Sequence, residues 1–455
     1  MELAKALRVS PGQIVAFVGA GGKSSSIRRL IEELTPETPV LITTTTKLAL
    51  DQEDLAVQHL ILRSKEDLKL FPALLHEGRS VLVTGERWPE GPKWTAPVED
   101  LLADLLPLAA DSGAVVLIEA DGARGRSLKA PAEHEPVIPQ AVDLVVALIR
   151  LDAIGAKLEG DLVYRPELVK EILGIQEEHI LLPADVAGIL THKDGALKAV
   201  PPSAQVRVIL NKAETQNAIE DGREIAMQTL KTDRIGSVIL AKVQQSDPVV
   251  EVHGRVAGIV LAGGGSQRFG RPKLVETWDG EALIRRSVRA AGEAGLDPIV
   301  VVLGADGPTV REALGQIPVQ IANNPDWAEG QSSSVREGLK VLAPNVDGAV
   351  FLLADMPLVD ADLVRALVAT QRRSLEPIVA PWTGERWGNP VLFDRVMFAA
   401  LSRIHGDQGG RVFFKEYPIE SVPWGQSAML DIDTPDDLEA INRRKPRSEG
   451  DGFSV

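Results

Sequence analysis

The chain has 455 residues, 44% hydrophobic and 25% charged, with a formal net charge of −15 and no cysteine. At roughly 150 residues per domain it is too long for one ordinary domain, and its composition is that of a folded chain with ample core. The acidic balance argues against non-specific nucleic-acid binding, and the lack of cysteine removes disulfide, thiolate and iron–sulfur chemistry, leaving oxygen or imidazole ligands for any metal.

In chain order, the first signal is IVAF (14 to 17), a β-branched and apolar run leading into VGAGGKSSSIRRLIEEL (18 to 34). This reads as strand, glycine loop and helix. Gly19, Gly21 and Gly22 let backbone N–H groups approach phosphate oxygens, Lys23 supplies a neutralising charge, and Ser24 is a candidate Mg²⁺ ligand. Phe17 stands where the first glycine of G-x-x-x-x-G-K-[ST] would be, so the segment is similar to the shortened phosphate loop of the Mur ligases. The plainer alternative is a capped helix start with a surface lysine.

PVLITTTTK (39 to 47) is a buried-strand pattern whose threonines end where an open α/β sheet binds ligands, although such a tract is also ordinary strand. AVVLIEADGARGRSLKAP (114 to 131) gives an apolar strand ending in Glu119 and Asp121. An acid facing the phosphate loop suits a Mg²⁺ ligand or water-positioning base, and we assign Asp121 to the metal, with a helix cap as the alternative. Arg124, Arg126 and Lys129 offer a second anion site. VRVILNKAE (206 to 214) brings Asn211, Lys212 and Glu214 to another strand end, similar to the guanine-reading N-K-x-D element of GTPases with Glu for Asp, so ATP or GTP is the candidate nucleotide. His192, in THKDGALK, reads as a loop or capping residue. Together GAGGKS, LITTTTK, EADGARGRSLKAPAEHEPVIP and LNKAE resemble the YqeC-type accessory proteins associated with selenium-dependent molybdenum hydroxylases. That resemblance implies a context more than a reaction. The polar, proline-containing QQSDPVVEVHGR (244 to 255) is expected to be a linker.

A second strand and glycine loop follow. After the apolar run Val256 to Val260 comes LAGGGSQRFGRPK, with Leu261, Ala262, Gly263, Gly264, Gly265 and Ser266 forming a phosphate cradle, Arg268 and Lys273 adding charge, and a helical pattern beginning near Ala282. The spacing L-A-x-G-x-S-x-R-x-G-x-x-K resembles the opening motif of the nucleotidyltransferases that attach a nucleotide to molybdopterin. NNPDWAEGQSSSVREGL, LLADMPLV, GNPVLF, GDQGGR and DIDTPDDL continue the likeness in order over about 190 residues, on the molybdenum cofactor cytidylyltransferase (MocA/MobA-like) side. The resemblance implies Mg²⁺ on Asp355 and Asp433, Arg268 and Lys273 on the leaving pyrophosphate, and the pterin over Trp327, Ser332, Ser333, Ser334, Asn389, Asp407, Gln408 and Arg411. Thr434, Pro435 and Asp437 read as the cap and first turn of a helix holding Asp433. Gly263-Gly264 is the guanylyl pattern, whereas Lys273 five positions after Arg268 and Gly-Asp-Gln-Gly are cytidylyl-like, and we expect CTP over GTP.

The expectation is a two-domain α/β protein: a P-loop-like nucleotide-binding domain at 1–250, a Rossmann-like nucleotidyltransferase domain at 254–445, and a disordered tail at 446–455. Its expected reaction transfers CMP from CTP to molybdopterin. Guanylyl transfer, transfer to a sugar or polyol phosphate, and a non-catalytic cofactor carrier or chaperone are the alternatives. Expected partners are these small molecules, a molybdenum hydroxylase client and cofactor-supplying proteins, with no nucleic acid or membrane. MELAKALRVS lacks a signal-peptide core and no run approaches about 18 apolar residues, so a cytoplasmic location is expected.

Overall fold

The computed structural model describes residues 1–442 except positions 36 and 177. The expected tail at 446–455 lies outside the described residues. The chain forms two compact units, 1–254 and 255–455.

Unit 1 is built on β1 (Ile14–Gly19), β2 (Val40–Thr44), β3 (Gln58–Ile61), β4 (Ser80–Thr84), β5 (Val115–Glu119), β6 (Leu144–Arg150), β7 (Gln205–Asn211) and β8 (Ser237–Ala241). They stand in the order β3-β4-β2-β5-β1-β6-β7-β8, all parallel. Central strands such as LVVALIR are apolar along nearly their whole length because both faces are covered. The chain first builds outward from β1, then returns to insert β5 beside it before β6 to β8 extend the other side. Such a reversal opens a crevice outside the strands' carboxyl ends, and the first glycine loop leaves β1 there. Helix α1 (Lys23–Leu34) follows at once, burying Ile27, Leu30 and Ile31 at helical spacing.

The expected linker is partly strand. β9 runs Val249–Ala262, and its residues 249–254 pair antiparallel with β8. Proline and polar side chains made 244–255 look like loop, yet VVEVHGRV is rich in β-branched residues, and its one proline, Pro248, precedes the strand where no ladder bond is lost.

Unit 2 takes residues 256–262 of β9 as its central strand, flanked in parallel by β10 (Ile299–Leu303) and β12 (Val346–Leu353), with β11 (Gln320–Asn323) beyond β10. β14 (Val391–Asp394) runs antiparallel between β12 and β13 (Ile378–Trp382), and β15 (Ile419–Pro423) closes the edge parallel to β13. Alternate residues serve opposite faces, as strand geometry requires: Val256, Val260 and Ala262 enter one core, Ala257 and Ile259 the other. α2 (Leu283–Glu293) covers the first face with Ile284, Val288 and Ala291, and α3 (Gln331–Lys340) covers the second with Val335 and Leu339. α4 (Ala361–Ser374), capped by the Asp360 carboxylate accepting from Leu363 N–H at 2.9 Å, adds Leu363, Val364, Leu367 and Val368 to the first. Both units are mixed α/β. No helix among the described residues is long and apolar enough to cross a membrane.

Candidate functional site

In unit 2 the second glycine loop, Arg268, Lys273, Trp327, Asp355, Asp407 and Asp433 line one cleft of about 570 Å³. Asp355 follows β12 at its carboxyl end, and Asp433 precedes α5 (Pro435–Asn442). The α5 cap is made as a box: Asp437 accepts from the Asp433 and Thr434 backbone N–H groups at 3.1 and 2.7 Å and from the Thr434 hydroxyl at 2.8 Å. Ile432 N–H donates to the Asp355 carbonyl at 2.9 Å, which ties the two acidic segments together. Lys273 Nζ stands 2.7 Å from Asp355 Oδ2, 3.4 Å from Asp433 Oδ1 and 2.8 Å from the Ile432 carbonyl, while Arg268 pairs with the other Asp433 oxygen. Two carboxylates therefore converge on one cation position beside the glycine loop.

The loop is shaped by its neighbours. A Cβ on Gly304 would stand 2.3 Å from the Gly263 carbonyl oxygen, and one on Gly265 would stand 3.2 Å from the Trp327 ring. Ser266, at φ +49°, donates its hydroxyl to Asp306 at 3.2 Å and accepts from Lys273 N–H at 3.1 Å. Asn389 and Arg411 line a neighbouring cavity of about 150 Å³ that shares Leu261 and Gln331 with the main cleft. Ser332 and Ser333, assigned to the pterin, point inward instead. Both are buried, Ser332 donating to the Gly406 carbonyl at 2.7 Å and Ser333 to the Gly330 carbonyl at 2.8 Å, so their hydroxyls fasten loops to the first turn of α3. Ser334 lines the cleft, and Gln408 is exposed outside both cavities.

In unit 1 the first glycine loop opens on a larger cleft of about 890 Å³. Gly22 at φ +133° turns the chain into α1, and a Cβ there would lie 2.6 Å from Asn211 Nδ2. Lys23, the first residue of the helix, donates to the Gly19 carbonyl at 2.7 Å and meets Asp121 at 3.0 Å. Asp121 also accepts from Gly19 N–H at 2.8 Å and pairs with Lys129 at 2.8 Å. It is thus engaged by two ammonium groups, as Asp355 and Asp433 are by Lys273 and Arg268 in unit 2. The acid beside Ser24 is Glu119, whose Oε2 accepts from the Ser24 hydroxyl at 3.3 Å. Burial pushes the Glu119 carboxyl above its ordinary range, partly countered by Lys23.

The remaining unit 1 expectations divide. Asn211 is a brace as well as a cleft residue: its amide donates to the Gly21 carbonyl at 3.0 Å, and its oxygen accepts from Lys212 and Val243 N–H groups, so it holds the loop. Lys212 lines the cleft and pairs with Glu214 at 3.1 Å, which occupies the acid expected to read guanine. Thr43 and Thr44 are buried and bond strand carbonyls, while Thr45 and Thr46 line the cleft. Lys129 is buried on Asp121 and Glu135, and Arg126 reaches Asp161 at 3.3 Å, leaving Arg124 alone of that trio on the cleft wall. His192 closes a turn, accepting from Asp194 N–H at 3.1 Å.

Residues 15–167 match the family model for the YqeC protein. Over 234 residues the chain is 30% identical to the uncharacterized protein YqeC of Escherichia coli strain K12, covering 51% of this chain and 88% of that one. The chain belongs to the YqeC family. It carries in addition a MobA-like NTP transferase domain, whose family model matches residues 258–422. Two relatives of that part are the nicotine blue oxidoreductase of Paenarthrobacter nicotinovorans, 29% identical with 36% of this chain and 83% of that one covered, and the molybdenum cofactor guanylyltransferase of Rhodobacter capsulatus, 28% identical with 42% and 96% covered.

Sequence reasoning missed several residues that shape these clefts in this YqeC-family chain. Gly304 and Asn324 set the second loop, Asn324 donating to the Ser333 and Ser334 hydroxyls at 2.8 and 3.0 Å. Arg150 packs its alkyl chain against Gly21, and Glu135 and Arg165 extend the ion pairs behind the first loop. Asn324 and Glu135 lay inside motifs already singled out; Gly304 and Arg165 carried no local signal. Among the described residues no group of three or more His, Asp or Glu side chains is placed to hold a metal.

Proposed function

We propose that unit 2 transfers CMP from CTP to molybdopterin with release of pyrophosphate, and that unit 1 is a nucleotide-binding module serving the maturation of a molybdenum hydroxylase. The observation that carries the transfer reading is Lys273 held between Asp355 and Asp433 in the cleft of the second glycine loop. A terminal phosphate on the acceptor is already anionic at neutral pH, so an oxygen of that phosphate attacks the α-phosphorus and pyrophosphate leaves without a protein nucleophile. The protein has to position and neutralise. Arg268 and Lys273 stand where they can draw the charge of the leaving phosphates, and the loop N–H groups orient the chain of phosphates.

A magnesium ion suits this site. Its carboxylates already converge on one cation, their donors are oxygens only, and Mg²⁺ takes the rest of its shell from water and phosphate oxygens. Held by Asp355 and Asp433, it would supply charge neutralisation across the reacting phosphates. The oxidoreductase name of one relative denotes different chemistry; the paired carboxylates and the cationic loop support phosphate handling instead. The guanylyl name of the other keeps the base in question, with Lys273 five residues after Arg268 and the Gly-Asp-Gln-Gly run favouring CTP.

In unit 1, ATP or GTP phosphates would lie on the N–H groups at the start of α1 with Lys23, and Ser24 with Glu119 would hold Mg²⁺. The test is mass spectrometry of the product formed from purified full-length protein, molybdopterin and an equimolar mixture of triphosphates. A cytidine dinucleotide product is expected. A guanosine product overturns the base assignment, and no pyrophosphate release from any triphosphate overturns the transfer reading.

A further inference from the structure

Behind the first glycine loop runs a line of five alternating charges. Lys23 meets Asp121 at 3.0 Å, Asp121 meets Lys129 at 2.8 Å, Lys129 meets Glu135 at 3.0 Å, and Glu135 meets Arg165 at 2.5 Å. Lys23 ends the line at the loop, and Arg165 ends it on another wall of the same cleft. Three cations face two carboxylates along the line, so one positive charge is left over. Beside Arg165 stands Tyr164, with the Arg165 guanidinium carbon 4.5 Å from the ring centre and that of Arg124 at 5.4 Å. Arg124 has no carboxylate partner among the described residues. Both arginines are non-glycine residues in the left-handed region, φ +49° and +60°, a conformation that costs energy and turns both side chains onto one aromatic ring.

The surroundings sharpen this. Seven lysine and arginine side chains and only two carboxylates line the cleft, in a protein whose net charge is −15. A local reversal of sign inside a cavity concentrates anions there. At about 890 Å³ the cleft lies toward the upper end of the roughly 300–1,000 Å³ usual for small-molecule sites, which leaves room beyond one triphosphate chain.

We propose that Arg124, Tyr164 and Arg165 form a second phosphate-binding site in unit 1, separate from the glycine loop, which takes the terminal phosphate dianion of a small molecule while the loop holds a nucleotide. Two guanidinium forks offer paired N–H donors to phosphate oxygens; Arg124 has no carboxylate partner among the described residues and Arg165 shares Glu135 with Lys129, so the pair suits a phosphate dianion better than a carboxylate. Tyr164 keeps the forks apart and oriented. Lys23 and Arg165 stand at opposite ends of the line, with Asp121, Lys129 and Glu135 between them. Simultaneous occupancy rests on the nucleotide reading of unit 1; the site itself does not.

The test is calorimetric titration of full-length protein with inorganic phosphate, with acetate as a control, in wild type and Arg124→Gln, each with and without saturating ATP and GTP analogues. Arg124 is exposed and its replacement leaves the line of ion pairs intact, so unchanged thermal melting is expected. Phosphate affinity should fall about tenfold in the variant, as for loss of one charge-assisted pair, both with and without nucleotide, and acetate should bind weakly to both proteins. Equal phosphate affinity in wild type and variant overturns the site. A difference that disappears when nucleotide is present overturns dual occupancy, since the arginines would then hold the nucleotide's own phosphates. A persistent difference in a protein that binds no nucleotide supports the site while removing the nucleotide reading of the loop.

Discussion

The two glycine loops look alike in sequence and are built on different principles. In unit 1, Gly19, Gly21 and Gly22 all have positive φ, their missing Cβ atoms are replaced by Leu148, Arg150 and Asn211 at contact distance, and a helix begins at the next residue. In unit 2, Gly263, Gly264 and Gly265 have no positive φ, nothing lies within 4 Å of a Cβ on Gly264, and the next α-helix starts only at Leu283. The first loop is a packed cradle working through backbone N–H groups and a helix terminus. The second is a ledge open at Gly264, with Ser334 and Trp327 against Gly263 and Gly265, and its charge comes from Arg268 and Lys273. A glycine run therefore signals phosphate handling without revealing whether backbone or side chains supply the field.

The largest effect is expected at the carboxylates of the second cleft. Asp355→Asn should lower pyrophosphate release by unit 2 at least about a hundredfold while thermal melting stays unchanged, because the charge removed acts chiefly in the transition state. Undiminished release would separate the second cleft from nucleotidyl transfer. Next in size, Lys23→Ala in the full chain should weaken nucleotide binding to unit 1 about tenfold or more, yet leave transfer at the wild-type rate, because each cleft is lined from its own unit. Loss of transfer comparable to Asp355→Asn would show the two sites to be coupled.

A glycine pair tests the packed cradle against the open ledge. Gly22→Ala puts a side chain at φ +133° against Asn211 and should cost about 1–3 kcal/mol, a few degrees of melting temperature for a unit of this size, whereas Gly264→Ala should leave melting unchanged. Equal effects would erase the distinction. The last test concerns acid. Burial raises the Glu135 carboxyl, but hydrogen bonds from Arg165 and Lys129 outweigh it and bring the value down from an ordinary 4.5 to about 2. A lowered carboxyl stabilises the fold above the ordinary value and loses that contribution as pH falls through the folded one. The melting difference between wild type and Glu135→Gln should therefore be widest near neutral pH and close between 4.5 and about 2. A difference that stays constant across that window would count against Glu135 as an ionised link.

Most of the architecture was legible because β-branched runs ending in glycine or acid mark parallel strands, as IVAF, AVVLIEADG and VRVILNKAE do. Side-chain contacts were legible where spacing alone decides, as in the Thr434–Asp437 cap. They were not where direction decides. Ser332 to Ser334 are consecutive, yet two turn inward and one faces the cleft. Glu119 and Asp121 are two positions apart, and only packing tells which meets Ser24 and which meets the lysines. Asn211 has the chemistry of a base reader, and its bonds to Gly21 and Val243 are visible only in three dimensions. Arg124 and Arg165 lie 41 positions apart and meet on a tyrosine.

The line from Lys23 to Arg165 also constrains how this protein can change over generations. Each interior member has an oppositely charged neighbour on both sides, so neutralising one strands two others in a poorly solvated place. A solvent-facing pair such as Arg63–Glu86 can be lost one partner at a time with little penalty. Inheritance along the buried line has to proceed by compensated double exchanges between adjacent members, and descendants of this chain should show substitutions at Asp121, Lys129, Glu135 and Arg165 arriving together or not at all.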